Sequence, residues 1–285
     1  PAFAIIFLVL VHSTLGPLFA TPRTASVNFT VGIQPFIPDY YIKLAMFIFT
    51  ALFFIATFYL SYRTSSIIDS LGKLLNPLFL ALLFLAFLLA FLHPMGAASA
   101  QPVTAAYQHQ SFFNGFLQGY NTMDALAGLA FGVTVASAVN QLGKTSPKSN
   151  AKVTARAGLI SEALVGIIYI ILIWIGATSL NLFKISTDDG GTTFNQFMGH
   201  YLGITGHALL ATLMTLTCVT TAVGLVAAFA QDFHEHFPRF SYHQWLAFNC
   251  FISFIIANVG LSLIITWSTP VLMFLYPFAI VLIML

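Results

Sequence analysis

Long apolar runs separated by short polar connectors set the pattern of the chain. Runs long enough to cross a bilayer as helices are predicted over 2–20, 43–62, 77–92, 112–139, 158–180, 206–230 and 245–265, and from Pro270 to Leu285. They predict about eight spans, at roughly 20 residues each. Their length and lack of period-two alternation fit helices and not a β-barrel. The first span carries His12, Ser13, Thr14, Gly16 and Pro17 and is expected to bend near its end. The polar, proline-marked stretch TPRTASVNFTVGIQPFIPDY that follows predicts a loop or a re-entrant segment. Pro277 is expected to kink the last span.

Composition places these runs in a membrane. The chain is 59% hydrophobic and 6% charged, with a mean hydropathy of +0.91, whereas soluble domains carry about 25% charge. The fold class is therefore all-α membrane, a polytopic helical bundle in a single transmembrane domain over 1–285. A net charge of +2 is too small to point to nucleic acid, and the basic residues serve topology instead. If the connectors after the second, fourth and sixth spans are cytoplasmic, that side holds Arg63, Lys73, Lys144, Lys148, Lys152, Arg156 and Arg239, seven of the ten basic residues. The other side holds Arg23, Lys43 and Lys184 with Asp39, Asp188 and Asp189. The fourth span then runs from outside to inside. Asp69 and Lys73 are spaced for a modest helix-surface pair. Cys218 and Cys250 fall inside apolar spans as packing residues. The chain opens and stops inside apolar runs, without a signal peptide, and is expected to be truncated within the membrane at both ends.

The fourth span carries the chemistry. FFNGFLQGYNTMDALAGLAFG (112–132) is apolar enough to cross, yet its middle holds Gln118, Gly119, Tyr120, Asn121, Thr122 and Asp124. An acid at membrane depth is costly and marks a functional site by default. Glycine followed by polar side chains weakens the helix there, and a break is tolerated only where protein or a cavity surrounds it. This predicts a substrate or ion site at an interrupted helix. The alternative is a packing interface, since Gly115 and Gly119, and Gly128 and Gly132, have the four-residue spacing that lets helices approach closely.

A second polar set lies in ATLMTLTCVTTAVGL. Thr217, Thr220, Thr221 and Gly224 share one helical face. Hydroxyl oxygens suit hard cations, but such threonines also bond back to their own helix or hold helices together. Glu162, with Gly158 and Gly166 on its face, reads as a gate or proton carrier, or as an interface residue. His234-Glu235-His236 lacks the spacing of a zinc helix and reads as a solvated loop. His12 reads as a satisfied internal histidine. The sequon Asn28-Phe29-Thr30 is given no weight.

Three motifs together resemble the bacterial branched-chain amino acid:cation symporter family: GPLFATPRTASVNF (Gly16 to Phe29), GFLQGYNTMDALAGLAFG (Gly115 to Gly132) and LTCVTTAVGL (Leu216 to Leu225). The resemblance implies a LeuT-type fold of two inverted five-helix repeats with the site near the midplane, of which this chain would hold the third to the tenth helix. The fourth span would be the broken sixth helix. Its Phe116, Gly119, Tyr120, Asn121, Thr122, Met123 and Asp124 would then be the substrate candidates. Asp124 would hold the substrate ammonium, a cation or a helix end. The hydroxyls of Thr220 and Thr221, with Thr217 beside them, would hold a coupling cation, Na⁺ or H⁺, on the eighth helix. The implied activity is secondary active import of leucine, isoleucine and valine by alternating access at the bacterial cytoplasmic membrane. The implied partners are the amino acid and the bilayer, with no cofactor. The other readings are a LeuT-fold carrier of another solute, a cation channel with Asp124 in its filter, or a membrane enzyme, for which no convergent set of catalytic residues is found.

Overall fold

The structure is a computed structural model describing residues 2–62, 66–141, 147–183 and 190–284. The expected Asp69–Lys73 pair, and Arg63, Lys144, Lys184, Asp188 and Asp189, fall outside the described side chains. The described residues are helical or irregular, with no strand, as the all-α reading requires. Five helical segments among them are long and apolar enough to cross a membrane: Ile5–Phe36, Asp39–Tyr62, Lys148–Ser179, Gly206–His236 and Leu261–Met284. Pro77–Leu92 is a shorter apolar helix. Ile55, Ile173 and Phe251 are among the many large apolar side chains left exposed on these helices, as a lipid-facing surface demands.

The first span is bent where expected, but it does not end there. Helix α1 (Ala2–Ser13) runs into a π-helical turn, Thr14–Leu18, which is broken at Gly16 (φ −78°, ψ −118°) beside Pro17. Helix α2 (Ala20–Asn28) then continues through a second π turn, Phe29–Ile33. This corrects the loop expected over 21–40. Thr21, Ala25, Ser26 and Asn28 are fully buried, and the two hydroxyls are satisfied internally: Thr21 Oγ1 donates to Leu15 O at 3.2 Å and Ser26 Oγ to Pro22 O at 2.9 Å. A polar helix is stable inside the bundle when its side chains bond to backbone instead of water.

Helices α3 (Ile42–Tyr62) and α4 (Ser66–Leu92) match the second and third spans, with α4 longer at its start. The fourth span is split into α5 (Ala105–Gly119) and α6 (Asp124–Gln141). Helix α7 (Pro147–Ser179) begins well before the predicted span, and α8 (Gly190–His236) adds a segment ahead of a break at Gly203, where φ is +63°. The last two spans are divided differently from the prediction. Helix α9 (Tyr242–Ala257) stops early, and Gly260 (φ +100°) turns the chain into α10 (Leu261–Met284). Only glycine adopts that turn without strain, and the continuous hydropathy of 245–265 hid it. Helix α10 passes both Pro270 and Pro277 as one element, so neither proline ends it.

Helix α8 is the hub of the packing. It contributes Leu225 to a cluster with Val11, Leu15, Phe19, Tyr120, Met123, Leu126 and Tyr276. Its Ala222, Val226 and Ala230 join α2, α3 and α9 around Phe53, Leu246 and Cys250, and its Leu210 meets α4 and α7 at Phe87 and Ile175. Polar bonds fasten the end of the first span to it: Thr215 Oγ1 donates to Asn28 Oδ1 at 3.0 Å, Asn195 Nδ2 donates to Thr30 O at 3.3 Å, and His207 Nε2 meets Val31 O at 3.0 Å. Asn258 Nδ2 donates to Thr50 Oγ1 at 2.9 Å, tying the α9–α10 turn to α3.

Close packing at Gly16 makes a testable contrast. A Cβ built there would lie 2.7 Å from Cδ2 of the buried Phe229 and 3.0 Å from Asn249 Nδ2, whereas nothing lies within 4 Å of one at Gly166. Gly16→Ala is expected to lower stability by about 1–3 kcal/mol through overpacking, and Gly166→Ala to change it by no more than about 0.5 kcal/mol. Thermal unfolding of the two variants in detergent checks this; equal melting temperatures would contradict the packing at Gly16.

Candidate functional site

The polar centre of the fourth span forms the predicted break. Helix α5 tightens at Gly119 into a 3₁₀ turn, Tyr120–Thr122, and Met123 takes a left-handed conformation (φ +63°) before α6 begins at Asp124. Left-handed backbone is uncommon for a residue with a side chain. Met123 is buried in the cluster with Phe19 and Leu126, which holds it there. Local polar groups stitch the turn: Thr122 Oγ1 donates to Gly119 O at 2.8 Å, Asn121 Nδ2 to Gln118 Oε1 at 3.1 Å, and Met123 N to Tyr120 O at 3.1 Å.

Two distant helices complete it. Arg23 Nη1, from α2, donates to the carbonyl oxygen of Asn121 at 2.8 Å. The Thr269 hydroxyl, from α10, shares its one proton between Asn121 Oδ1 at 3.0 Å and Ile265 O of its own helix at 2.8 Å. Asn121 is thus the junction of three elements. Asp124 sits in the first turn of α6, where a carboxylate complements the helix dipole, and its Oδ2 accepts from the Tyr169 hydroxyl of α7 at 3.0 Å. That position is compatible with each of the three roles the sequence leaves open for Asp124, and Oδ1 makes no hydrogen bond among the described residues. Tyr120 stacks on Tyr276 with centroids 4.2 Å apart, and Phe116 meets Tyr120 edge-on at 5.4 Å. The buried Tyr276 hydroxyl lies beside Thr122 and Ala125 but makes no hydrogen bond of good geometry. Phe116, Gly119, Thr122 and Asp124 are exposed, Asn121 is half-buried and Tyr120 is buried, so the turn is open on one side and walled by aromatics on the other.

The glycine pairs behave differently from the packing expectation. Nothing lies within 4 Å of a Cβ built at Gly115, Gly119, Gly128 or Gly132, so no described helix is seated on them. The threonines of α8 do share an open face: Thr217 and Thr220 are half-buried, Thr221 and Gly224 exposed. Each hydroxyl donates into its own helix, Thr217 to Met214 O at 3.0 Å, Thr220 to Thr217 O at 2.8 Å and Thr221 to Thr217 O at 2.9 Å. A hydroxyl whose proton points inward keeps its lone pairs outward as acceptors. Among the described residues no hydrogen bond joins these threonines to the 116–124 segment; Leu225, on the same helix, shares an apolar cluster with Tyr120 and Met123.

The remaining sequence candidates separate cleanly. Glu162 and Glu235 are exposed. His12 is buried, as expected of an internal histidine, with Nδ1 at 3.0 Å from Leu8 O and 3.5 Å from Asp232 Oδ2. His234 and His236 bond to Phe240 O and Asp232 O, and no group of metal-ligating side chains gathers among the described residues. Asn28 is fully buried, which rules out a glycan there. An apolar groove of about 440 Å³ between α3 and α9, lined by Phe54, Phe58, Cys250 and Phe254, touches none of the candidate site residues. The residues missed by sequence reasoning are Arg23, Tyr169, Thr269 and Tyr276. Arg23 was counted among loop charges, although Thr21, Ala25 and Asn28 around it recur at helical spacing and carry the buried face onward.

The Asn121 junction predicts energetic coupling. Asn121→Ala and Thr269→Val are expected to be non-additive, with an interaction energy of about 0.5–1.5 kcal/mol. A double-mutant cycle on detergent-solubilised protein measures it; strict additivity would mean that the bond does not hold α10 to the break.

The sequence model of the family described as branched-chain amino acid transport protein matches residues 1–285. The branched-chain amino acid permease BraB of Bacillus subtilis is 40% identical over 286 residues, a match covering 100% of this chain and 63% of that protein. The branched-chain amino acid permease BrnQ of Lactobacillus delbrueckii subsp. lactis is 39% identical over 285 residues, covering 99% and 64%. The Bacillus subtilis BrnQ is 36% identical over 285 residues, covering 100% and 64%. The chain therefore spans just under two thirds of the length of these relatives. No solved structure matches it. With the three motifs in order and the whole chain matched, this multi-pass helical membrane protein belongs to the branched-chain amino acid transport protein family, a family of transporters and not of enzymes.

Proposed function

We propose that the whole gene product imports leucine, isoleucine and valine across a bacterial cytoplasmic membrane by symport with Na⁺ or H⁺. The observation that carries the reading is the interrupted helix at Gly119–Met123. Interrupted spans of this kind hold substrates and ions in secondary transporters of the LeuT type, and the permease names of the relatives supply the substrate class. In this reading Gly119, Asn121, Thr122 and Asp124 take the polar head of the amino acid, while Phe116 and Tyr120 give apolar surface to its branched side chain. Thr217, Thr220 and Thr221 offer outward lone pairs to the coupling cation on α8. Ligand at the break and cation on α8 favour a common conformational state, so each tightens the other by the same factor. Discrimination among leucine, isoleucine and valine is modest, because one methylene is worth only about 1–3 kcal/mol in an apolar pocket.

Uptake of radiolabelled leucine into proteoliposomes, under an imposed Na⁺ gradient and then a proton gradient, tests this directly. Accumulation against the leucine gradient is expected with one of the two, and failure with both from folded protein would overturn symport. Thr221→Ala is expected to weaken dependence on the coupling ion about tenfold, at a cost of roughly 1 kcal/mol or less in stability. Unchanged ion dependence with lower folding yield would reduce Thr221 to a structural hydroxyl.

A further inference from the structure

Arg23 is a cation within the first membrane span, and no carboxylate pairs with it among the described residues. The ion pairs among the described residues join His12 and His236 to Asp232, and neither involves Arg23. Its bond to Asn121 O uses one of the five N–H donors of the guanidinium. Clamping a backbone carbonyl does not require a charge; a neutral amide or hydroxyl would serve, without the cost of keeping a cation at membrane depth. What a guanidinium offers beyond that bond is a planar fork that pairs with a carboxylate through two parallel hydrogen bonds.

The surroundings fit such a guest. Three residues past the carbonyl that Arg23 holds, the Asp124 carboxylate is engaged by Tyr169 through Oδ2, and among the described residues its other oxygen stays available. The turn at 121–124 therefore holds a cation at its Asn121 carbonyl and a carboxylate at Asp124, and no ion pair joins the two. An α-amino acid presents the complementary pair, a carboxylate and an ammonium on neighbouring atoms. The stacked rings of Tyr120 and Tyr276, with Phe116 at their edge, provide the apolar boundary for the side chain.

We propose that Arg23 is the carboxylate-binding residue of the site, with Asp124 facing the ammonium, so that the site selects α-amino carboxylates over amines and amides of the same shape. The assignment rests on the transport reading for its substrate class. The bond to Asn121 O places the guanidinium at the break; the charge itself supplies the selectivity.

The test measures binding by titration calorimetry on the whole gene product in detergent, at a pH where all ligands carry an ammonium. The ligands are leucine, leucinamide and 3-methylbutylamine. The wild type is expected to bind leucine at least about tenfold more tightly than either analogue, as a charge-assisted contact would give. Arg23→Gln is expected to weaken leucine about ten- to a hundredfold while leaving the two analogues unchanged. Arg23→Lys keeps the charge but not the fork, and is expected to show an intermediate leucine-to-leucinamide ratio. A wild type that binds leucine and leucinamide alike overturns the proposal. So does an Arg23→Gln protein that weakens all three ligands equally, which is the behaviour of a structural clamp, or one that keeps the wild-type ratio. If Arg23→Gln does not fold, an unchanged ratio in Arg23→Lys overturns it. The substrate reading fails separately: should the wild type bind other α-amino carboxylates in preference to their amides but not leucine, isoleucine or valine, Arg23 keeps its role and the branched-chain assignment falls. Binding of no α-amino carboxylate at all overturns both.

Discussion

A backbone carbonyl released by a broken helix has no water to turn to at membrane depth, and the rest of this structure is arranged around that constraint. The fourth span is interrupted at Gly119–Met123, and the carbonyl of Asn121 finds its donor in Arg23, on a helix 98 residues earlier in the chain. That helix is reached only because the first span is itself interrupted at Gly16 and Pro17. Phe19 and Leu15 beside one break and Tyr120 and Met123 within the other belong to the same buried cluster. The two interruptions thus stabilise each other: one supplies the donor and the other the acceptor, and apolar packing fixes their distance.

The same economy governs the polar residues elsewhere. Threonines and serines in the buried interior send their protons to carbonyls of their own helix, as Thr57 does to Phe53 O at 2.8 Å and Ser61 to Thr57 O at 2.7 Å. This makes a polar side chain cheap to bury, and it explains how α2, the least hydrophobic of the early helices, sits inside the bundle. On α8 the identical bond has a second consequence. Thr217, Thr220 and Thr221 lie on a partly open face, exposed at Thr221 and Gly224, so acceptor lone pairs there are presented and not consumed. The structural role of these hydroxyls and a role toward a cation are therefore compatible, and only the exposure of the face distinguishes them from the buried threonines of α3.

Membrane class, helical architecture and the break itself were legible in the sequence, because each rests on strong local signals: run length, charge depletion, and Gly119 followed by polar residues. What escaped was non-local or masked by composition. The stretch after Thr21 reads as a loop by polarity and proline content, yet its buried face continues at helical spacing and is satisfied by bonds that hydropathy does not see. The turn at Gly260 is hidden inside an unbroken apolar run, where backbone conformation and hydrophobicity are unrelated. Arg23, Thr269 and Tyr169 join the site through contacts across 98, 148 and 45 residues, and no spacing rule within one helix encodes such pairs. Gly115 and Gly119 show the converse failure. Their four-residue spacing is a good local signal for helix contact, but no described helix takes it up.

A ligand moves a conformational equilibrium only by binding one state better than another, and the break is built so that few contacts decide the matter. Asn121 is held by Arg23 through its carbonyl and by Thr269 through its side chain, one bond to each helix. A guest carboxylate on Arg23 would compete with, or add to, the bond that positions α2 against the break. An ammonium on the free oxygen of Asp124 would act on the first turn of α6, which is tied to α7 through Tyr169. A zwitterion bound across the turn as proposed would therefore touch the two charged side chains that tie α2 and α6 to their neighbours. An amine lacking the carboxylate engages only one of them. In the proposed reading affinity and helix position are governed by the same two side chains, and selectivity for the head group would follow from the geometry of the turn, not from the shape of the apolar wall.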